Sequence, residues 1–342
     1  MKTGVLLINL GTPDSPSTPD VRKYLREFLS DGRVIDINPV GRWALVNLII
    51  APFRAPKSAK LYKKIWTDEG SPLLVHGLAL KKKLQQALGE NYVVAFGMRY
   101  QSPSLESALE ELRKARVEKI IAVPLYPQYA SSTTGSTVEA LMSLLRKWEV
   151  APALDVLSRF HHRSEYLDAV IASAKNFNPA DYDHVLFSFH GIPERHIRKS
   201  DAYYGDGKCS FGACCETPRE GNQFCYRANC VQTANTVAQR LGIARERYTV
   251  SFQSRLGKDP WVQPYSDAEI VRLAKEGKKK ILAFSLAFVA DCLETIYEIG
   301  VEYDHLFREN GGEKVQLVPS LNSTEEWVNA LKAMVTERSL RT

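Results

Sequence analysis

The sequence lacks any hydrophobic run long enough to cross a bilayer. Its most apolar stretch, Trp43–Phe53, is interrupted by Asn47 and Pro52 and falls short of the roughly 20 residues that a membrane-spanning helix needs. An export signal is also missing, because the apolar run Val5–Leu10 ends in a turn without a small-residue cleavage site. These absences predict a cytoplasmic protein, in which Trp43–Phe53 forms either a buried helix or an amphipathic lip in loose contact with the inner face of the cell membrane.

A strong excess of charge of one sign is missing as well. The formal net charge is +6 over 342 residues, and Lys and Arg are scattered along the chain rather than clustered. No basic stripe is interleaved with aromatic residues, so nucleic acid is not an expected partner. The length suits two domains, and the 44% hydrophobic and 25% charged residues are typical of a globular protein.

Cysteine is scarce outside one short segment. Five of the six cysteines lie within residues 209–230, and the sixth is Cys292. Without an export signal a disulfide framework is disfavoured, although it remains the alternative, and a thiolate-bound metal centre is the better interpretation. Four thiolates can hold either an iron–sulfur cluster or a structural tetrahedral zinc ion, so one cysteine, Cys214 or Cys215, is spare. The candidate ligands are four of these five: Cys209, Cys214, Cys215, Cys225 and Cys230.

Short apolar runs alternate with helix-length amphipathic segments, which predicts an α/β fold with parallel sheets covered on both faces. A helix–turn–strand segment ending at Leu125 aligns without gaps with one ending at Leu286, which suggests two similar lobes, although any two such segments look alike. The predicted strands are Val5–Leu10, Tyr92–Phe96, Lys119–Pro124, Ala153–Leu157, His184–His190, Tyr248–Gln253, Lys280–Ser285 and Val315–Val318.

The predicted domains follow from this alternation. Residues 1–155 form a first α/β lobe with a lip at about 40–56. Residues 156–310 form a second lobe with a cysteine-rich insert at 203–230. Residues 311–342 supply a strand and a helix that pack back on the first lobe.

The segments that follow the predicted strands are the places to search for a site, because ligands of parallel α/β sheets bind beyond the carboxyl ends of the strands. These segments are rich in aromatic, polar, Gly and Pro residues, which predicts a cleft with an aromatic and basic lining. His190 ends a strand and precedes Gly191-Ile192-Pro193, which makes it a candidate proton acceptor or metal ligand. The alternative is a histidine that caps the edge of a sheet.

An acidic stripe follows the strand Lys280–Ser285. The acids at 291, 294, 298 and 302 are spaced by three and four residues, which places them on one face of a helix. Oxygen ligands on such a face suit the transfer of a divalent cation. Glu294 is the favoured functional member, whereas Asp291 as a helix cap and Glu302 on a solvated face are the simpler interpretations.

Several motifs together resemble the ferrochelatase family, whose members insert ferrous iron into a porphyrin to make haem. The motifs occur in the family's order and cover nearly the whole chain except the cysteine insert and the extreme C-terminus. They are LLINLGTPDSP, IWTDEGSPLL, GMRYQSPS, LYPQYASSTTGS, SFHGIPERH, DPWVQP, ADCLETIYEIGVEY and PSLNS.

The resemblance implies two Rossmann-like lobes with a porphyrin cleft between them. It places the proton-abstracting or metal-binding role on His190 and metal handling on Glu294, with Asp291 and Glu298 as a delivery path. The positions implied to lie near the porphyrin are Leu10, Arg54, Ser71, Arg99, Tyr100, Tyr126 and Trp261.

Three features set this chain apart within the family. Many relatives have a histidine where this chain has Cys292, so iron delivery here depends more on carboxylates. Members that act on coproporphyrin carry a tyrosine where this chain has Leu10, which favours protoporphyrin IX. The cysteine insert resembles that of certain bacterial members with a 2Fe–2S cluster, which predicts a structural or sensory cluster.

Two kinds of alternative stay open. A coproporphyrin-specific enzyme, or a chelatase for another metal and tetrapyrrole, would use the same fold. A non-catalytic haem or iron–sulfur sensor would keep the fold without catalysis, and an intact His190, Glu294 and Arg99 argue against it.

Overall fold

The computed structural model describes residues 2–205, 207, 209–257 and 259–340 of the chain. The described chain divides into two compact units, of which the first comprises residues 1–126, 131–159 and 322–342 and the second 127–130 and 160–321. Asp206 and Lys208, which belong to the predicted cysteine-rich insert, lie outside the described residues. Among the described helices, none combines the length and the apolar character that a bilayer crossing would take.

Each unit contains one four-stranded parallel sheet. The order is β2-β1-β3-β4 in the first unit and β6-β5-β7-β8 in the second, so the two units repeat one topology. All eight predicted strands are confirmed, with small differences at their ends. The strands are β1 Thr3–Gly11, β2 Tyr92–Tyr100, β3 Lys119–Pro124, β4 Ala153–Val156, β5 His184–His190, β6 Tyr248–Gln253, β7 Lys280–Ser285 and β8 Lys314–Leu317.

Helices flank both sheets. Each sheet is hidden on both faces, which is why β1 and β5 are apolar and buried along nearly their whole length. The α-helices are α1 Thr18–Leu29, α2 Pro39–Ala44, α3 Ala51–Ile65, α4 Pro72–Leu88, α5 Leu105–Lys114, α6 Ser136–Leu145, α7 Ser164–Ser173, α8 Glu194–Tyr204, α9 Tyr226–Arg240, α10 Ser266–Lys275, α11 Asp304–Glu309 and α12 Glu325–Ser339. Wider π-helices span Leu45–Ile50, Ser131–Gly135 and Glu294–Tyr303.

The repeat suggested by the sequence is visible in the turns that precede β3 and β7. Arg116 and Gly277 occupy equivalent places, with φ angles of 55° and 83°. The next residue in each turn donates its backbone N–H to the helix, from Val117 to Leu112 and from Lys278 to Leu273. The same left-handed helix ending therefore leads into the third strand of each unit.

The C-terminal segment 311–342 requires a correction. Its strand, β8, pairs with β7 and belongs to the second unit, not the first. The reason is that the backbone of β8 pairs with the free edge of β7. Its side chain Val315 then joins the same core as Ile281 of β7. Its helix, α12, packs against α4 in the first unit.

The most apolar stretch of the chain forms α2, the π-helix Leu45–Ile50 and the start of α3 in the first unit. Several of its large side chains are exposed, so the alternative of a buried helix is wrong. The exposed residues, which we call the apolar patch, are Val40, Trp43, Leu48, Ile49 and Phe53.

Candidate functional site

His190 is the last residue of β5 and is half-buried. Its Nδ1 lies 2.6 Å from the backbone oxygen of Gly191. A carbonyl oxygen can only accept a hydrogen bond, so Nδ1 carries the proton and Nε2 of the neutral ring keeps a lone pair. The Phe288 ring packs against the imidazole, with 6.3 Å between ring centroids. The imidazole is thereby held in one orientation, with the lone pair of the neutral ring on Nε2.

The strand exit after His190 is rigid because the backbone is closely packed there. Gly191 donates its N–H to the Gln253 oxygen at 2.7 Å. A Cβ at Gly191 would lie only 2.9 Å from the Ser254 oxygen, so this close approach requires glycine. Trp261 forms a β-bridge with the neighbouring Pro193. Trp261 therefore lies beside the strand exit.

The acidic segment forms a π-helix that begins at Glu294, not at Asp291. Asp291 lies ahead of it, and its Oδ1 accepts from the Thr295 hydroxyl at 3.1 Å and from the Ser320 N–H at 3.2 Å. These bonds make Asp291 a cap that ties the start of the helix to a neighbouring loop. The expectation that all the acids share one helix is wrong for Asp291, because its side chain satisfies the backbone instead. π-Helices occur preferentially at functional sites.

Glu298 is held by four donors of the protein itself. Its carboxylate accepts from the Ser254 N–H at 3.0 Å and the Ser254 hydroxyl at 2.6 Å. The Tyr303 hydroxyl donates at 3.1 Å and the Gln253 side-chain amide at 3.3 Å. Burial, followed by the Glu298 charge, raises the pKa of Tyr303, so its hydroxyl stays a donor. Glu298 therefore fixes the end of β6 to the π-helix.

Glu294 makes a different kind of contact. Its carboxylate accepts from the thiol of Cys292, and burial together with the Glu294 charge raises the pKa of that thiol. The residue that replaces the family's frequent histidine is thus a neutral donor to Glu294. Gln253, which pairs with His190 in the sheet, donates to the Glu294 backbone oxygen at 3.3 Å. His190 and Glu294 thereby share one neighbour.

In the first unit, Arg99 and Tyr100 at the end of β2 converge on one carboxylate. Arg99 lies 2.7 Å and the Tyr100 hydroxyl 2.9 Å from Oδ2 of Asp31. The Ser136 hydroxyl donates to the same oxygen at 2.5 Å and accepts from Arg99 Nε at 2.8 Å. We call these four residues the Asp31 cluster. Its donors and acceptors satisfy one another.

The Asp31 carboxylate is stabilised in its ionised form. Burial alone would raise its pKa, but hydrogen bonds from Ser136, the Arg33 backbone and Tyr100, with the charge of Arg99, lower the pKa below its usual value. Burial raises the pKa of Tyr100 strongly, so its phenol stays protonated. The cluster is therefore an ion pair braced by neutral donors.

The other predicted porphyrin positions of the first unit are spread over several elements. Ser71 is buried ahead of α4, with its Oγ 2.8 Å from Thr12 Oγ1. Tyr126 is buried, and burial raises the pKa of its phenol. Leu10 is half-buried and is the next-to-last residue of β1, and Arg54 is exposed on α3.

The five cysteines of the insert are free thiols that influence one another. The sulfur atoms of Cys214 and Cys215 lie 3.8 Å apart. A hydrogen bond from Cys215 lowers the pKa of Cys225, and the same bond raises the pKa of Cys215. Burial raises the pKa of Cys209 and Cys230. Across residues 2–205, 207, 209–257 and 259–340, no group of three or more His, Cys, Asp or Glu side chains is arranged to hold a metal ion.

Arg227 adds a positive charge beside these thiols. It interacts with both Cys215 and Cys230. Its Nε and Nη1 atoms are buried without an acceptor among the described residues. Buried guanidinium donors need acceptors, and thiolate and sulfide sulfur atoms of an anionic centre would supply them. The segment therefore places free thiols beside guanidinium donors that sulfur atoms could satisfy.

Four residues at these positions were missed by the sequence analysis. Asp31 follows α1 and not a strand, so the rule of strand ends did not point to it. Ser136 lies in a segment that the analysis noted only as a whole. Gln253 and Ser254 end β6, where the strand-end rule did apply, but their amide and hydroxyl groups carried no signal of chemistry.

Solved structures with a similar fold are metal chelatases. SirB from Bacillus subtilis with Fe³⁺ has a TM-score of 0.52 at 15% identity, covering 99% of this chain and 96% of that one. The sirohydrochlorin chelatase SirB from Bacillus subtilis subspecies spizizenii in complex with cobalt has a TM-score of 0.54 at 13% identity, covering 98% and 95%. Identities this low show the fold alone. The fold is of the chelatase type.

The family follows from sequence. The ferrochelatase family profile matches residues 2–339. A ferrochelatase of Coxiella burnetii (strain CbuG_Q212) is 44% identical over 339 residues, covering 97% of this chain and 93% of the relative. A ferrochelatase of Legionella pneumophila (strain Lens) is 45% identical over 340 residues, covering 99% and 100%. The chain belongs to the ferrochelatase family and is an enzyme of haem biosynthesis, as the motifs predicted.

Proposed function

We propose that the protein inserts Fe²⁺ into protoporphyrin IX to form protohaem, with His190 as the proton acceptor. The observation that carries this assignment is the fixed imidazole of His190, whose Nδ1–H is held by Gly191 and whose Nε2 keeps its lone pair. Half-burial leaves the ring accessible to a substrate. Membership of the ferrochelatase family indicates the reaction, and the orientation of the His190 ring supports this residue as the proton acceptor.

The chemistry has two demands. Two pyrrole protons must leave the macrocycle, and Fe²⁺ must exchange its water ligands for four ring nitrogens. A flat porphyrin keeps its N–H groups in its own plane, so bending the ring exposes both the protons and the lone pairs. Such bending costs about 1–5 kcal/mol and is sustained by contacts remote from the reacting atoms.

His190 meets the first demand. A pyrrole N–H proton passes to Nε2, and the resulting imidazolium keeps its Nδ1–H bond to the Gly191 oxygen. The bond orients the ring before the proton arrives, so little reorganisation is needed. Trp261, which bridges to the adjacent strand exit, is proposed to contact the porphyrin on this side.

Glu294 meets the second demand. Its carboxylate has the Cys292 thiol as a neutral partner, so it keeps its charge for Fe²⁺ or for a departing proton. Glu298 already accepts four hydrogen bonds and Asp291 caps the helix, so we propose that both position Glu294 rather than carry iron. Metal handling therefore rests on Glu294, with His190 as the second metal contact.

The porphyrin is proposed to use two kinds of residues in the first unit. Arg54 is exposed and suits a propionate. The Asp31 cluster keeps Arg99 and Tyr100 rigid, which makes their edge a fixed surface for the macrocycle. Leu10, Ser71 and Tyr126 complete the proposed set. Leu10 favours protoporphyrin IX over coproporphyrin, and comparing the two porphyrins at matched concentrations tests this preference.

We also propose a 2Fe–2S cluster on four of the five thiols of the insert. The contact between Cys215 and Cys225 supports thiolate ligands close together in this segment, and Arg227 offers donors to sulfur. The group would supply a structural or sensory centre, because iron insertion changes no oxidation state. Structural zinc is the alternative.

The assignment of His190 is tested by His190→Ala. Porphyrin binding, followed by fluorescence quenching, is expected to persist, while iron insertion falls by at least about 100-fold. His305→Gln, an exposed histidine of the same unit, is the control and should leave both unchanged. Insertion by His190→Ala at the rate of the unaltered protein would overturn the proposal. Failure of the unaltered protein to insert iron would favour the sensor, and cobalt or nickel insertion with a different tetrapyrrole would favour the related chelatase.

The cluster is tested on the same protein purified without oxygen. Visible absorption bands with about two irons and two sulfides per chain are expected, whereas about one zinc per chain without such bands would show the alternative. Serine at Cys225 should abolish the bands, and serine at Cys292, which lies outside the insert, should leave them unchanged. Bands that survive the Cys225 change would contradict this ligand set.

The apolar patch supports a cytoplasmic protein in peripheral contact with the inner face of the membrane. Exposed lysines of α3, Lys57, Lys60 and Lys63, lie in the same segment as exposed Phe53, which suits an anionic lipid surface. Sedimentation with phosphatidylglycerol vesicles should exceed that with phosphatidylcholine vesicles and fall several-fold in Phe53→Glu. Equal sedimentation of the variant would contradict this contact.

A further inference from the structure

The first residue of α9, Tyr226, connects the cysteine segment to His190. Its hydroxyl donates to the backbone oxygen of His190 at 2.7 Å. Tyr226 is only 6% exposed, so this hydrogen bond is shielded from water. A short, buried bond to the backbone of the proposed proton acceptor is not used in the mechanism above.

The surroundings of Tyr226 come from the insert. It lies between Cys225, which precedes α9, and Arg227. Its hydroxyl also contacts the thiol of Cys230, which lies about one turn further along the same helix. The phenol is therefore held from the cysteine side and directed to His190.

The His190 backbone needs this support because the sheet supplies it on one side only. β5 pairs with β6 as far as His190, opposite Gln253. On its other side, β5 pairs with β7 only as far as Ser188, opposite Ser285. The strand thus runs two residues beyond that ladder, and its last carbonyl takes its donor from Tyr226.

From these contacts we propose that Tyr226 is a positioning residue that fixes the backbone of His190 from the cysteine segment. Its hydroxyl does for the end of β5 what a neighbouring strand does elsewhere in the sheet. Nε2 then stays aligned for proton transfer because both the ring, through Gly191, and the main chain, through Tyr226, are anchored. The inference rests on the proposed role of His190.

Tyr226→Phe removes the hydroxyl and keeps the ring. One lost hydrogen bond is expected to lower kcat for iron insertion about 3- to 10-fold while KM for the porphyrin stays within about twofold. In ¹⁵N-histidine spectra, the Nδ1–H signal of His190 should exchange faster with water.

Tyr248 of β6, which contacts the same helix, offers a matched control. The Tyr248 hydroxyl donates to Asn235 Oδ1 of α9 at 2.8 Å, and Tyr248 stands at the opposite end of its strand from Gln253. Tyr248→Phe should lower thermal stability as much as Tyr226→Phe does, with kcat and the His190 signal unchanged.

The outcomes separate this inference from the proposed function. Unchanged kcat in Tyr226→Phe beside an inactive His190→Ala would overturn the role of Tyr226 alone. An active His190→Ala would overturn the role of His190 itself. An equal fall of kcat in both tyrosine variants would show a general effect of α9 and also overturn the positioning role.

Discussion

The two units of the molecule share a scaffold but differ in how their polar residues are used. Both have the same strand order and the same helix ending before their third strand. In the first unit, the Asp31 carboxylate accepts hydrogen bonds from Arg99, Tyr100 and Ser136, so the groups of the cluster satisfy one another. In the second unit, His190 is anchored through Nδ1, and we propose that its Nε2 accepts a proton from the substrate.

The difference teaches that a repeated fold does not repeat its chemistry. A closed cluster stabilises and stiffens, because every buried donor has its acceptor. A group with one hydrogen-bonding atom left unpaired is available for reaction, because that atom can still accept a proton. The predictions that follow test this division, and they begin with the largest expected effect.

Glu294→Gln should show that the open carboxylate serves the reaction. We expect iron insertion to fall by about 100-fold or more, because the neutral amide neither attracts Fe²⁺ nor accepts a proton. Steady-state insertion with Fe²⁺ as the varied substrate measures this. The control is Glu302→Gln, an exposed acid on the same π-helix, which should insert iron normally. Equal losses in the two variants would mean that the whole acidic stripe carries iron.

Asp31→Asn should show that the closed cluster serves stability. The change leaves the half-buried Arg99 without its counter-charge, and we expect the free energy of unfolding to fall by about 2–3 kcal/mol. Urea unfolding followed by tryptophan fluorescence reports mainly on the first unit, since every tryptophan except Trp261 belongs to it.

The control for this change is an exposed ion pair of the same unit. Asp14 lies 3.1 Å from Lys23 with both side chains accessible to water, so Asp14→Asn should cost less than about 0.5 kcal/mol. Equal costs for the two aspartates would mean that the Asp31 cluster is no more than a surface pair.

The two units should also respond to acid at different pH. Burial, followed by the charges of Arg272 and Lys278, lowers the pKa of His184 to about 4. Protonation then favours the unfolded chain, so the second unit loses stability as the pH falls from about 6.5 to 4. The pKa of Asp31 is lowered as well, so the first unit loses stability only as the pH falls below about 4.

Amide hydrogen exchange along β5 and β1 distinguishes the two responses. His184→Gln should flatten the dependence in β5 between pH 6.5 and 4, which corresponds to about 2–3 kcal/mol, and leave β1 unchanged. A wild-type β5 whose protection is constant across that range would contradict the assignment to His184.

Arg116→Gly should give the smallest effect. Arg116 has the left-handed φ of 55° at the place where the second unit has Gly277. Glycine relieves this strain, so we expect the first unit to gain about 0.5–1 kcal/mol. In the reverse test, Gly277→Ala should lose about as much from φ alone, because a Cβ there meets no atom within 4 Å. Thermal unfolding of both variants measures the pair, and a loss in Arg116→Gly would show that the two turns are not equivalent.

The sheets were predictable because each strand is an apolar run hidden on both faces. Four strands show this directly, since Lys119–Pro124, His184–His190, Tyr248–Gln253 and Lys280–Ser285 begin and end where the sequence predicted. The left-handed turn at Arg116 carried no such signal, because arginine is not a residue that favours that conformation.

Candidate site residues could be predicted where the side chain itself is an acid–base group at a strand end. They could not be predicted where the side chain acts by holding another residue in place. His190 and Glu294 could be chosen from their position after a strand and from their acid–base groups. Asp31 could not, because its importance depends on tertiary contacts with Arg99 that no local spacing encodes. The same holds for Asp291, whose carboxylate fitted the stripe in sequence but binds Ser320 in space.

The return of α12 to the first unit has a consequence for the order in which the protein is made. Arg338 pairs with Asp155 at 2.5 Å, and the Ser339 hydroxyl lies 2.8 Å from that of Tyr92. These contacts come from residues that are translated after the whole second unit. The second unit ends at Leu321 and has all its residues before then. Translation therefore completes the second unit first, and the first unit is complete only after α12 has been made.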